Sequence, residues 1–319
     1  MPEPVISSVL RRWLDEKERV LSSGVTGVHE IPARPKVGLA LAGGFARGIA
    51  HIGVLRVLRD AGIHIDAVAG TSVGALIGAA FCAGTPLEEM ARIGEHTSFT
   101  DFGRWTPSWL GLATNHRLEK YLARLTPAKN FEDLVTPLAI AATDLNAGIT
   151  IYYTRGPLVP PLRGSCAYPG LFVPIQFEDR TLVDGFLTSP VPVEGVALLG
   201  VDIVIAVYLE PASLEPPRTF TDVLSRSFNI IQRHADLAWR QQADVIIEPD
   251  MRTFLWDDFT RTPELVAAGE AAAREALPRI RELIGSASAD AGGTDAAGKD
   301  VISRQLNWTP RPETQDPGS

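Results

Sequence analysis

Two periods of hydrophobic and polar positions alternate along the first part of the chain. Val37–Leu41 is a short apolar run that ends in Gly43-Gly44, and a helical pattern then runs through His51, Val54, Leu55 and Leu58 to Asp60-Ala61-Gly62. Ile63–Ala69 is a second apolar run, closed by Gly70-Thr71-Ser72. Leu76, Ile77 and Phe81 follow at helical spacing as far as Gly84-Thr85-Pro86. Short apolar runs of buried type, each leading into a helix, predict a parallel sheet in an α/β fold. The pattern predicts further strands at Pro137–Ala142, Thr150–Thr154, Asp202–Val207 and Asp244–Glu248. It predicts a hairpin over Ile175–Val183, turning at Glu178-Asp179-Arg180, and helices over Pro86–Glu95, His116–Leu125, Thr219–Gln242 and Pro263–Ile284.

The ends of the chain have a different texture. Val5, Ile6, Val9, Leu10, Trp13, Leu14, Val20 and Leu21 fit helical spacing, with charged residues on the other face. A helix docked on the domain is the expectation. A helix lying on lipid is the alternative, which the mixed charge of its polar face weakens. Ser22–Pro35 reads as a linker. After Gly285 the chain turns to Ser, Ala, Asp, Gly and Pro, which predicts a disordered tail over Ser286–Ser319. The resulting division is 1–35, 36–285 and 286–319. Ser98–Leu112 is aromatic and rich in Gly and Pro, with Phe99, Phe102, Trp105 and Trp109. Ordinary loop packing is expected there, with a lid or wall over an apolar site as the alternative.

Composition removes several function classes. With 319 residues, 45% of them hydrophobic, the chain can bury a sizeable core. A net charge of −8 gives no global basic footprint for nucleic acid. Two cysteines, Cys82 and Cys166, exclude a disulfide framework and a multi-cysteine zinc site. The acids are scattered, and neither metal nor cofactor is implied. The stretch Val68–Ala83 is apolar apart from Thr71 and Ser72, but it is shorter than the roughly 20 residues a spanning helix needs. The N-terminus lacks a basic region followed by an apolar one. A soluble cytoplasmic protein is expected, and a transient visit to a membrane surface is compatible with that.

The candidate chemistry lies at the ends of the first two predicted strands. Gly70-Thr71-Ser72-Val73-Gly74 matches G-x-S-x-G between a strand and a helix, the context in which this motif presents a nucleophilic serine. The alternative is a glycine-rich turn capped by Ser72. Gly43-Gly44-Phe45-Ala46-Arg47-Gly48 ends the preceding strand, and its amides could hold an anion. Gly48-Ile49-Ala50 lacks the Gly-Lys-Ser/Thr ending of a phosphate-binding loop. The Gly-Gly-x-x-x-Gly spacing also fails the dinucleotide fingerprint, so a nucleotide reading is weak, although Asp66 lies about 20 residues on. An oxyanion hole remains, because two adjacent parallel strands bring this loop and Ser72 to the same sheet edge. A serine hydroxyl needs a base. Asp184-Gly185, after the predicted hairpin, is a candidate, though Asp-Gly alone is most often a turn. A conventional triad would need a later histidine, and His234, in a helical stretch, is the one that follows Asp184. His51 reads as a packing or hydrogen-bonding residue.

Taken in this order, Gly43–Gly48, Ala50–Leu55, Gly70–Ala75 and Asp184-Gly185 resemble the patatin-like phospholipase family, its small bacterial members above all. Ala167–Pro174, Ser189–Pro192 and Ala243–Pro249 share the likeness, which runs from about Lys36 to about Pro249. The resemblance implies a three-layer α/β/α sandwich with a mostly parallel central sheet. It implies a Ser–Asp dyad of Ser72 as nucleophile and Asp184 as base, with amides of Gly43, Gly44 and Phe45 as the oxyanion hole. Arg47 matches the motif's basic residue, with two readings open, a contact that fixes the loop and one to substrate phosphate. Gly48, Gly70, Gly74 and Gly185 support the motifs. The activity implied is hydrolysis of phospholipid or lysophospholipid esters. Two departures stand out. Phe45 replaces a usual glycine, so the loop must either keep an ordinary backbone or store strain. Phe186 replaces a usual small residue and would alter the acyl pocket. Two further readings compete, a non-catalytic lipid-binding or regulatory protein of the same fold and a Ser-Asp-His esterase using His234.

Overall fold

The computed structural model describes residues 34–106, 108–210, 219–235 and 237–292; the expected N-terminal helix and residues 293–319 of the expected tail lie outside them. Eight strands form the main sheet: β1 (Val37–Leu41), β2 (Ala67–Thr71), β3 (Leu138–Asp144), β4 (Ile149–Tyr153), β5 (Ile175–Phe177), β6 (Arg180–Asp184), β7 (Ile203–Val207) and β8 (Val245–Ile247). Their order is β8-β7-β1-β2-β3-β6-β5, with β4 beside β3. From β8 to β3 all neighbours run parallel. β4 and β6 run antiparallel to β3, and β5 antiparallel to β6. The helices that matter below are α1 (Ala50–Asp60), α2 (Val73–Cys82), α3 (Leu118–Leu125), α4 (Val159–Ser165), α5 (Val193–Ala197), α6 (Phe220–Ala235) and α7 (Thr262–Gly292).

Both faces of the parallel strands are buried, and they are built differently. Val37, Leu39, Leu41, Val68, Leu138 and Ile140 face one large core together with α1, α2 and α7. Ala40, Ala67, Ala69, Ala139 and Ala206 face a smaller core with Val193 and Val196 of α5 and with Trp239. The small side chains let the second layer approach closely. A Cβ on Gly38 would lie 2.6 Å from a methyl of Val196. This is the three-layer architecture, with a mostly parallel sheet between two layers of helices.

Arg34–Ala287 form one compact unit. The predicted strands and most helices occur within a few residues of their expected limits. Thr219–Gln242 is helical over Phe220–Ala235 and Leu237–Gln242. Among the elements that were not legible are the helical turn Phe99–Phe102 and three others. The hairpin Arg104–Trp105 with Ala113–Thr114 pairs only two residues a side. α4 carries Pro160-Pro161, and both prolines fall in its first turn, where amide donors have no intrahelical partner. α5 is only five residues long. α7 also continues through Ser286 to Gly292, past the point where composition predicts a tail.

Candidate active site

β2 ends at Thr71, and the chain turns at once into α2. Ser72 sits at that turn with φ 55° and ψ −123°, a conformation disfavoured for any residue with a side chain. The glycines of the motif make the turn sterically feasible. A Cβ on Gly70 would lie 2.4 Å from Ala75 Cα, and one on Gly74 would lie 2.3 Å from the Leu41 carbonyl oxygen. Gly48 packs against Val73, and Gly185 against the carbonyl of Ala141.

Sheet register brings Asp184 to Ser72. One edge of β3 pairs with β4 along Ile140–Asp144. The other edge pairs with β2 up to Thr71↔Ala141, and with β6 from Ala142↔Asp184 onward. Asp184 therefore lies one register step beyond the end of β2, where Ser72 begins. Its backbone is held on both sides, the N–H donating to Ala167 O (3.0 Å) and the carbonyl accepting from Thr143 Oγ1 (3.0 Å). Asp184 Oδ1 accepts from the Phe186 N–H (3.0 Å). Burial pushes the carboxyl up to about 7, against the Phe186 amide and the Ser72 hydroxyl, both of which favour the charged form.

The loop after β1 supplies the third part. The Ala42 amide donates to Val207 O, that of Ala46 to Trp256 O and that of Arg47 to Gly44 O. The amides of Gly43, Gly44 and Phe45 have no hydrogen-bond partner among the described residues, and all three residues line the same cavity as Ser72 and Asp184. Gly43 abuts the nucleophile, since a Cβ there would lie 3.3 Å from Ser72 Cβ. Phe45 takes φ 51°, so of the two outcomes open to it the loop stores strain. Its ring is held edge-on between Tyr168 (5.4 Å) and Trp256 (5.3 Å). Arg47 lines the cavity with its Nε donating to Gly44 O (3.4 Å), so the loop-fixing contact is present at the cavity wall. His51 is buried, donates from Nε2 to Ala42 O (2.9 Å), and is pushed down to about 4 by burial, so it is neutral and steadies the base of the loop.

The cavity holds about 380 Å³. Its apolar walls include Leu171, Phe186, Leu224 and Phe254, with Trp105 and Trp256 at exposed positions. Phe186 stacks on Tyr168 (4.7 Å) and meets Phe228 edge-on, so the second departure from the family pattern builds an aromatic wall. Sequence reasoning missed two neighbours. Ser165, at the end of α4, accepts the Ser72 N–H on Oγ (2.8 Å). Cys166 follows it, its thiol kept protonated by burial and by the Asp184 charge and also touched by the Ser72 hydroxyl. No local signal marks either; the contact spans 93 residues. The side chain of His234, in α6, lies outside the described residues. Among the described residues no group of His, Cys, Asp and Glu is placed to hold a metal, and no helix is long and apolar enough to cross a membrane.

Fold and turn together define the α/β/α proteins in which a G-x-S-x-G serine stands between a parallel strand and a helix. The chain belongs among these to the patatin-like phospholipase family, whose model matches residues 39–197. An uncharacterized NTE family protein of Mycobacterium tuberculosis is 36% identical over 187 residues, which cover 58% of this chain and 52% of that protein. Lysophospholipase NTE1 of Mycosarcoma maydis is 29% identical over 226 residues, covering 68% of this chain and 12% of that protein. The chain thus spans about half the length of the mycobacterial relatives it matches. Among solved structures, VipD from Legionella pneumophila has a TM-score of 0.50 at 12% identity, covering 79% of this chain and 67% of that one, a likeness of fold alone.

Proposed function

We propose that the unit hydrolyses acyl esters of phospholipids or lysophospholipids through a Ser72–Asp184 dyad. The observation that carries the reading is a strained serine with a buried carboxylate one register step away, in an apolar cavity beside three amides that have no partner among the described residues. Ser72 Oγ attacks the ester carbonyl and passes its proton to the Asp184 carboxylate. Charge gathers on the former carbonyl oxygen, where the amides of Gly43, Gly44 and Phe45 stabilise it. Collapse expels the alcohol portion, lysolipid or head-group glycerol, which takes the proton from Asp184 and leaves an acyl group on Ser72. A water then gives a proton to Asp184 and its oxygen to the acyl carbon. Fatty acid departs, and the proton returns to Ser72. The apolar walls suit an acyl chain, and a relative named as a lysophospholipase supports lipid substrate.

Hydrolysis of a short nitrophenyl ester and of a phospholipid, with product analysis, tests the reading beside Ser72→Ala and Asp184→Asn. Both variants should lose activity, and a fluorophosphonate should label the parent at Ser72. Equal activity in all three proteins would sink the proposal. Activity that survives Asp184→Asn and dies in His234→Ala would assign the base to His234.

A further inference from the structure

A basic groove lies outside the cavity just described, and Arg104, the neighbour of Trp105, lines it. It holds about 430 Å³ and is lined by Arg104, Arg117, Lys120 and Arg124, with Asp101 as its one carboxylate and His116, Thr100 and Tyr121 completing it. Asp101 is taken by Arg124 (2.9 Å). Arg117 donates to the carbonyl of Thr100 (2.9 Å), which leaves its charge uncompensated. Arg104 and Lys120 are exposed, and their side chains have no hydrogen bond or ion pair with any described residue. The neighbouring acid Glu119 acts on Arg163. His116 registers the resulting field. Its imidazole is held below its ordinary value by desolvation and then by Arg104, Arg163, Arg117 and Lys120. A chain of net charge −8 thus carries a local positive concavity.

Beside the groove stands the hairpin that begins at Arg104. Its base is fixed. Ala113 exchanges hydrogen bonds with Leu171 O (2.8 Å) and the Val173 N–H (2.9 Å), and Phe99 bridges Trp105 (5.3 Å) and Phe172 (5.8 Å). Leu171 and Trp105 belong to the wall of the Ser72 cavity. The far end is bare: Trp109 is fully exposed, Leu110 is 69% exposed and Leu112 44%. Large apolar side chains on a rigidly based hairpin whose first residue, Arg104, also lines the basic groove match a bilayer interface, where Trp settles at headgroup depth and Lys and Arg meet phosphates.

We infer that this surface docks the protein on an anionic phospholipid bilayer, with Trp109 and Leu110 entering the interface and Arg104, Arg117 and Lys120 meeting headgroup phosphates. Trp105 belongs to the hairpin and to the cavity wall, so docking places lipid beside the cavity. That link to turnover rests on the proposed hydrolase reading; the docking itself does not.

Binding is read on the full chain carrying Ser72→Ala, so that no hydrolysis intervenes. The vesicles are phosphatidylcholine alone and an equimolar phosphatidylcholine–phosphatidylglycerol mixture. Sedimentation should show preference for the anionic vesicles, weakening as salt is added. Arg104→Ala with Lys120→Ala should lower partitioning to them about 30-fold. Trp109→Ala with Leu110→Ala should lower binding to both vesicle types, and thermal melting confirms that each variant is folded. Equal binding to both vesicles, parent-like partitioning of the charge variant, or no vesicle binding at all would overturn the inference, the last leaving an acidic protein as the surface's partner. Competition by free inorganic phosphate as effective as that by anionic vesicles would reassign the groove to a small anion. Failed ester hydrolysis with intact vesicle preference would reject the dyad and leave the docking surface standing.

Discussion

Replacing Asp184 by asparagine should stabilise the protein in mild alkali while it ends turnover. Asp184 is 2% exposed, and burial outweighs the two hydrogen bonds that favour its charged form. Raising the carboxyl from its ordinary 3.8 to about 7 means that the folded state holds a proton the unfolded chain releases. Stability is then greatest below the unfolded value of 3.8, and it falls as pH rises to and through about 7. About three powers of ten in the protonation equilibrium correspond to ~4 kcal/mol, reached once both states are ionised. Asparagine keeps an acceptor for the Phe186 amide and carries no charge. Thermal melts of Asp184→Asn and the parent from about pH 5 to about pH 8.5 test this. By about pH 5 roughly a third of that difference is already present, so the gap should be a few degrees at the acid end and approach roughly 10 °C in favour of the variant at the alkaline end, at ~2–4 °C per kcal/mol for a domain of this size. Ester turnover should fall about 100- to 10,000-fold, because the amide accepts no proton. In the parent, kcat/KM should rise with pH to a plateau above about 7. A parent that melts in parallel with the variant across the whole range would refute the buried, proton-holding carboxyl.

Other substitutions probe the remaining parts. Gly74→Ala drives a Cβ to 2.3 Å from the Leu41 carbonyl, backbone that cannot rotate away, so it should cost more than ~3 kcal/mol in chemical denaturation; an unchanged midpoint contradicts the close approach. Phe45→Gly and Phe45→Ala both lose the ring contacts with Tyr168 and Trp256, but only alanine keeps a Cβ at φ 51°. The glycine variant should therefore be about 1 kcal/mol the more stable of the two, and equal stabilities would show that the loop stores no strain. Ser165→Ala removes the acceptor of the Ser72 amide; it should lower stability by about 1–3 kcal/mol and kcat more than KM changes, and an unaltered kcat would mean that this contact does not set the elbow.

What was legible in the chain is what is local. Gly70–Gly74 and Gly43–Gly48 are contiguous, and each lies between an apolar run and a helical pattern, so strand, turn and helix could be read together. Asp184 was legible as a motif, but its closeness to Ser72 depends on β3 passing one edge from β2 to β6 between Ala141 and Ala142, a pairing between segments far apart in sequence. Ser165 and Cys166 were invisible for the same reason. α4 left no local helical signal, and it tolerates Pro160-Pro161 because proline breaks a helix interior but not its first turn. The aromatic stretch Ser98–Leu112 proved composite: Phe99 and Phe102 pack, Trp105 walls the cavity, and Trp109 points away from the protein.

The absence of histidine from the proposed dyad has a physical reading in the fold. An ordinary carboxylate at 3.8 is too weak a base to draw a proton from serine near neutral pH, and enzymes usually assign that step to imidazole, which titrates near 6.5. Burying Asp184 at the end of β6 moves its carboxyl to about 7, into the imidazole range. A buried imidazole at the base of the glycine loop, His51, moves the other way, to about 4, and its Nε2 is engaged by the Ala42 carbonyl. Burial thus exchanges the usual roles, leaving the aspartate as the group that can cycle a proton and the histidine as a fixed strut beneath the glycine loop. The same burial makes the site costly once ionised, so the groups that hold Asp184 in place, Thr143 and the Ala167 carbonyl on its backbone and the Phe186 amide on its side chain, oppose the carboxylate's tendency to leave the core.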